Sequence, residues 1–194
     1  MPVAAATPNA SPVPMTNRST GWSRPLVIGG YLDERPSRPR VDVLRKLFAV
    51  KRARFIKWDA RPGNAMADAD RQVFWFDWEH SGSRCRLDDV AWLLCDEFMP
   101  DLADVENRVL GRHLAAFADQ LSLDEAAHYL RAYGVFHSVV RLGLILSLKK
   151  DEDWWDFDYC LARDKVGITL ECSLRLTRRA AHWADMDEAT RPLV

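Results

Sequence analysis

Apolar and polar positions alternate with two different periods along this chain, and the change of period divides it. The stretch VDVLRKLFAV carries apolar residues at 41, 43, 44, 47, 48 and 50, which predicts a short amphipathic helix. RFI at 54–56 reads as a strand, and DARPGN at 59–64 reads as a loop, with Pro62 and Gly63 as breakers. The stretch 65–76 reads as a hairpin: a short strand, a polar turn at 68–70, then 73–76 as a buried strand. Beyond it the period becomes helical. LDDVAWLLCDEFM (87–99) and DVENRVLGRHLAAFADQL (104–121) both carry one apolar stripe. A third helix is expected over 123–150, with Ser122 as N-cap and Glu125 three residues on, which makes a capping box. Its apolar or small residues at 126, 129, 130, 133, 136, 140, 144 and 148 predict one buried face. LECSLRLTRRAAHWADM (170–186) predicts the last helix.

These elements predict an α+β fold, mostly α, with a small strand-bearing core followed by a helical bundle. Residues 1–24, rich in Pro, Ala, Ser and Asn, read as a disordered leader, and 25–194 as one folded unit. Between them, 25–38 hold the apolar patch PLVIGGYL and a Pro-rich run. No internal repeat is evident.

Composition adjusts this picture in three places. With 194 residues, 48% of them hydrophobic, the chain can bury a core. The net charge of −1 conceals a division: up to Trp58 there are 11 Lys/Arg against 3 Asp/Glu, and from Asp59 onward 16 against 25. The basic runs SRPR and KRAR read as solvated, and no nucleic-acid partner is expected; the acidic body favours cationic or metal-bound ligands. Cys85, Cys95, Cys160 and Cys172 form neither C-x-x-C nor a zinc spacing, and so read as reduced thiols of a cytoplasmic protein. The beginning lacks the apolar core of a signal peptide, and the apolar stretch 134–148 contains His137 and Arg141 and is shorter than a bilayer span, so no membrane segment is expected. Oligomeric state is not legible.

The candidate chemistry lies in FIKWDARPGNAMADADRQVFWFDWEH, residues 55–80. Carboxylates at the ends of apolar runs are costly unless something charged meets them. Phosphoryl transfer from ATP needs magnesium against the phosphates and a carboxylate that orients the acceptor hydroxyl. Magnesium takes hard oxygen ligands, one or two of them carboxylates. Asp59, Asn64 and Asp77 provide such a set, with Asp59 as base, Asn64 as a carbonyl ligand and Asp77 as the main carboxylate ligand.

WDARPGNAM followed by VFWFDWEH resembles the catalytic segment of the aminoglycoside phosphotransferase and choline kinase-like family, small-molecule relatives of protein kinases. That pattern is H-G-D-x-x-P-x-N, a hairpin, then an apolar run ending in D-[WF]-E; the protein-kinase motifs share its logic. The resemblance is specific over 54–95 and only architectural beyond. It implies a protein-kinase-like C-terminal lobe, Mg²⁺ and ATP, and transfer of phosphate to a hydroxyl of a small molecule. By resemblance Asp59 matches the catalytic Asp, Asn64 and Asp77 the metal-binding residues, and Glu79 the acidic residue of D-W-E. Asp89 is similar to the Asp that opens the next helix and braces the catalytic loop. Lys57 departs from the pattern, standing where the family has His, a structural support of the loop.

Only 58 residues precede Asp59, and they hold neither G-x-G-x-x-G nor a P-loop, so the nucleotide-covering N-terminal lobe is expected to be missing. The alternative expectation is a catalytically inactive, pseudokinase-like binding module, or a truncated remnant. Two further features bear on substrate. KKDEDWWDFDYC (149–160) joins carboxylates and aromatic rings, which makes Asp153, Trp154 and Trp155, with Glu79, candidate contacts for a cationic acceptor; the competing reading is a solvated loop with one Trp plugging the core. His137, in an apolar helix, reads as a hydrogen-bonded core residue.

Overall fold

The computed structural model describes residues 41–49 and 53–191. The expected leader, the apolar patch and the Pro-rich run before residue 41 lie outside the described residues. Helix α1 (Val41–Leu47) leads to strand β1 (Arg54–Ile56), a 3-10 turn (Pro62–Asn64), and strands β2 (Ala65–Ala67), β3 (Val73–Trp75) and β4 (Gly82–Arg84). Then come α2 (Leu87–Leu94), α3 (Ala103–Phe117), α4 (Leu123–Lys149), α5 (Phe157–Ala162) and α6 (Leu170–Asp185). The result is a mostly helical α+β fold, as the change of period implies.

The strands form two antiparallel ladders. In one, Ala65 pairs with Trp75, Met66 with Phe74 and Ala67 with Val73. The turn between these strands is set by Asp68, whose Oδ1 accepts from the amides of Asp70 and Gln72, both at 2.9 Å. The other ladder pairs β1 with β4, Arg54 opposite Arg84 and Ile56 opposite Gly82. The expectation that 73–76 is a buried strand is overturned. Val73, Phe74 and Phe76 are about half exposed and Trp75 is half-buried. The hairpin projects from the helical body, and its outward row holds apolar side chains rather than polar ones.

Helix α4 is the centre of the body and packs chiefly against α6 and α2. Its N-terminus is the expected capping box: the Ser122 hydroxyl accepts from the Glu125 amide, and the Glu125 carboxylate accepts from the Ser122 amide at 2.9 Å. The predicted buried face holds at Ala126, Tyr129 and Leu130, but Val140 and Leu148 are exposed and Ile145 is buried instead. Lying between two helices, α4 buries residues on several sides in its middle, so its second half follows Gly134, His137, Ser138 and Ile145 rather than a single stripe. By length and composition alone α4 could cross a bilayer; the stretch read as too short is part of a helix of 27 residues.

Two helices end differently from expectation. Helix α2 stops at Leu94, because the Asp96 carboxylate turns back to accept from the Phe98 amide at 2.9 Å and Pro100 follows. Helix α5 occupies part of the acidic stretch expected as loop, started by Asp156, whose carboxylate accepts from the Tyr159 amide at 2.7 Å. A buried ion pair ties α3 to α6: Arg179 donates to Glu106 at 2.8 Å, and Trp183 Nε1 donates to the other carboxylate oxygen at 3.2 Å. Arg179 also donates to the Pro100 carbonyl at 2.9 Å, so the buried charges are well supplied with partners.

Gly134 marks the closest approach between α4 and α6. A Cβ there would lie 2.2 Å from Trp183 Cζ3 and 2.9 Å from Cys95 Sγ. G134A therefore destabilises the chain by about 1–3 kcal/mol through overpacking, against a helix-propensity gain of about 1 kcal/mol. A lowered urea midpoint with an unchanged slope is the expected result.

Candidate functional site

The site is built where β1 runs out. After Ile56 the chain turns sharply: Trp58 has φ 46° and Asp59 φ 63°, both in the left-handed region. Two consecutive L-residues there cost about 1–3 kcal/mol each. Asp89, in the first turn of α2, offsets part of this cost. One of its oxygens accepts from the Lys57 amide at 3.0 Å and the other from the Trp58 amide at 2.8 Å. Asp89, expected to brace a catalytic loop, contacts this turn at two successive amides. Burial raises the pKa of Asp89, partly opposed by those two amides and by the Lys57 charge.

Trp58 stands at the Gly of the H-G-D pattern, and its ring occupies a packed position. Arg84 lies over it at 3.9 Å, and Trp92 and His80 meet it edge-on at 5.5 and 6.0 Å. Trp92 in turn meets His137 at 4.3 Å. His137 is buried, but its Nε2 has no hydrogen-bond partner, which corrects the expectation of a hydrogen-bonded core histidine. Burial lowers its pKa to about 3, so the ring is neutral near pH 7.

Asn64 is brought back to Asp59 by the Pro62–Asn64 turn. Its Nδ2 donates to the Asp59 carbonyl at 3.0 Å and to Asp59 Oδ2 at 2.9 Å. This fixes the amide orientation: the nitrogen faces Asp59, and the side-chain carbonyl accepts no hydrogen bond among the described residues. The Asn64 carbonyl of the main chain accepts from Phe76 at 3.0 Å, which ties the turn to the strand that carries Asp77. Asp77, φ 55°, is exposed. Its carbonyl accepts from Lys57 Nζ at 2.7 Å, and the same ammonium donates to the Asp59 carbonyl at 3.2 Å. Lys57, the departure from the family pattern, is thus the buried link between the two acidic residues. Sequence spacing gave no sign of this, because the contact depends on a side chain reaching across twenty residues.

Below the loop lies a network the sequence reading missed. Arg61 pairs with Asp164, just beyond α5, and lies 3.9 Å from Asp96. Arg141 on α4 forms a two-point pair with Glu97. Burial, with Glu97 beside it, pushes Asp96 up to about 6. Burial would also raise Glu97, but Arg141 holds it low.

The other candidates are not brought to this place. Glu79 is exposed and meets only His80, at 3.4 Å. Trp154 packs beside Ile145, Cys172 and Leu176, with Lys149 over its ring at 5.0 Å, so it plugs the core. Trp155 meets Tyr159 edge-on, and Asp153 is exposed. No hydrogen bond, ion pair or ring contact joins these three to Asp59 or Asp77.

The donor set suits a hard divalent cation only in part of its shell. No cluster of three or more His, Cys, Asp and Glu exists among the described residues. The Asp77 carboxylate and the Asn64 side-chain carbonyl are oxygen donors of the kind magnesium takes, and no contact among the described residues joins the two.

A groove of about 570 Å³ opens on the other side of the loop, lined by Phe55, Trp75, Trp78, Val90, Leu93 and Phe117 among others, with Lys57 and Asp89 in its wall. Phe55 and Trp78 stack nearly parallel at 6.3 Å.

Removing the brace frees the loop: D89A should cost about 3 kcal/mol and speed amide exchange at Lys57 and Trp58 about a hundredfold, read by hydrogen exchange. Asp88, next to it, gives a pH prediction. Burial pushes Asp88 up to about 6, opposed by a hydrogen bond from Tyr129 at 2.7 Å. The folded chain binds this proton more tightly than the unfolded one, so its contribution to stability falls as pH rises from about 4 to about 6. In D88N that slope disappears, so urea midpoints of wild type and D88N should diverge across this window.

No protein-family model, curated protein or solved structure matches this chain.

Proposed function

We propose that this chain is a phosphotransferase of the aminoglycoside phosphotransferase and choline kinase-like kind, with a protein-kinase-like C-terminal lobe. In this reading it acts in the cytoplasm and moves phosphate from ATP to a hydroxyl of a small, cationic molecule. The observation that carries the reading is the joining of Asp59, Asn64 and Asp77. Asn64 holds one Asp59 oxygen, Lys57 holds both Asp carbonyls, and Asp89 fixes the turn. Asp59 Oδ2 is occupied by Asn64, and Oδ1 takes no hydrogen bond among the described residues. Oδ1 is then the atom that orients the acceptor hydroxyl and receives its proton. Asn64 Oδ1 and the Asp77 carboxylate would hold Mg²⁺, which supplies charge neutralisation on the phosphates.

A second reading, a binding module without turnover, is favoured by a separate observation. The hairpin and the groove expose Phe55, Met66, Phe74, Phe76 and Trp78 on a chain that otherwise has a packed core. Contiguous apolar surface of this kind marks a docking face.

Phosphate transfer from labelled ATP to a panel of hydroxylated amines separates the two. The first reading expects Mg²⁺-dependent turnover by wild type. D59A should lose it by about 10²–10⁴-fold with nucleotide affinity nearly kept. Nucleotide-independent behaviour, or equal activity in D59A, overturns the catalytic role of Asp59 and leaves the binding module.

A further inference from the structure

We propose that Lys57 is a positioning residue that locks the Asp59 and Asp77 segments into one unit. This deepens the phosphotransferase reading and depends on it for its catalytic meaning, while its structural half stands alone.

The Lys57 side chain is an expensive component. The residue is 4% exposed and forms no direct ion pair among the described residues, although the Asp89 charge acts on it from farther off. A buried charge is destabilising unless opposite charge or strong hydrogen bonds meet it. Here two carbonyls do, those of Asp77 at 2.7 Å and Asp59 at 3.2 Å. The third ammonium proton has the face of Trp78, 5.8 Å from the ring centroid. Both carbonyls belong to residues in the left-handed region, Asp59 at 63° and Asp77 at 55°. That backbone strain needs an external attraction to persist, and charge-assisted hydrogen bonds from one cation supply it to both segments at once. A tetrahedral ammonium can converge on two carbonyls on the same side. An imidazole, neutral or protonated, carries its two nitrogens on opposite sides of the ring and cannot turn two donors onto carbonyls on the same side.

The test uses the full chain with two variants. K57M keeps the length and removes the donors; K57R keeps the charge and a fork of donors on one side. Hydrogen exchange is followed over 57–64 and 76–80, with α4 and α6 as reference, and binding of Mn²⁺ is followed by its electron spin resonance. In K57M both segments should exchange about tenfold faster or more, together, with α4 and α6 unchanged. Mn²⁺ affinity should fall about tenfold as its ligands lose their registration. In K57R, whose guanidinium keeps its donors on one side, the two segments should stay protected together and exchange more slowly than in K57M.

Change in only one segment of K57M, or in neither, overturns the proposal, as does K57R exchanging as fast as K57M in both segments. Tighter Mn²⁺ binding in K57M also overturns it, since Lys57 would then act by repelling the cation. If K57M does not fold, wild-type exchange along a urea series decides: the two segments should open with one common free energy, and separate openings overturn the proposal. Failure of wild type to bind Mn²⁺ counts against the metal site of the proposed function alone, because the exchange result is read without metal.

Discussion

The carboxylate of Asp89 is the constraint on which the site depends. It accepts from two consecutive backbone amides, those of Lys57 and Trp58, just where the chain leaves β1 for the left-handed region. Such amides have no partner of their own in a turn of this shape, and leaving them unmet beside the core would cost about 1–3 kcal/mol each. Asp89 can serve because α2 is rooted in the core through Leu87, Ala91 and Leu94. Adjacent carboxylates on a helix point about 100° apart, so Asp88 turns to Tyr129 in the core and Asp89 to the loop. Both also sit in the first turn, where negative charge is favoured by the helix dipole. One dipeptide thereby attaches α2 to the core and the loop to α2.

Behind the loop the packing is less satisfied. Trp58, Trp92 and His137 form an edge-to-face series leading from the loop to α4, and Trp92 Nε1 and His137 Nε2 lack hydrogen-bond partners among the described residues. Buried polar atoms without partners are rare, because each gives up its hydration for nothing. Arg61 Nε, in the loop itself, is a third such atom. Elsewhere the polar interior is well matched, as in the Arg179–Glu106–Trp183 arrangement. Local rules are commonly broken at functional places while the rest of a fold obeys them.

Much of this was legible in residue patterns, for reasons that differ by element. Ser122 and Glu125 make a local, reciprocal cap, so sequence alone announced the start of α4. The contacts of Asn64 with Asp59 and of Asp89 with the loop are observed, while the chemistry expected of Asp59, Asn64 and Asp77 belongs to the proposed function. Strand β4 was not: Gly82 and Ser83 have little strand preference, and the strand exists because β1 needs a partner. The exposure of β3 was missed because an apolar run reads the same whether it is covered or not. Lys57 was read as a departure from a pattern, and its role emerged only from the reach of its side chain to the Asp77 carbonyl. The aromatic acidic stretch left two readings open for a related reason: sequence shows rings and carboxylates near one another, but not that Lys149 lies over Trp154.

The groove and the candidate site are not independent features. Lys57 and Asp89 lie in the groove wall, as does Trp78, whose face lies over the Lys57 ammonium and whose ring stacks on Phe55. Trp78 follows Asp77 directly, and its Nε1 donates to the Trp75 carbonyl at 2.9 Å, so its position is fixed by the same short turn. Any displacement of Trp78 would disturb one of the three environments that keep the buried ammonium in place. The apolar wall therefore has a physical task besides covering surface: it excludes water from the cation, which strengthens the hydrogen bonds to both carbonyls. The exposed aromatic residues and the acidic pair are two sides of one structure, with Lys57 between them.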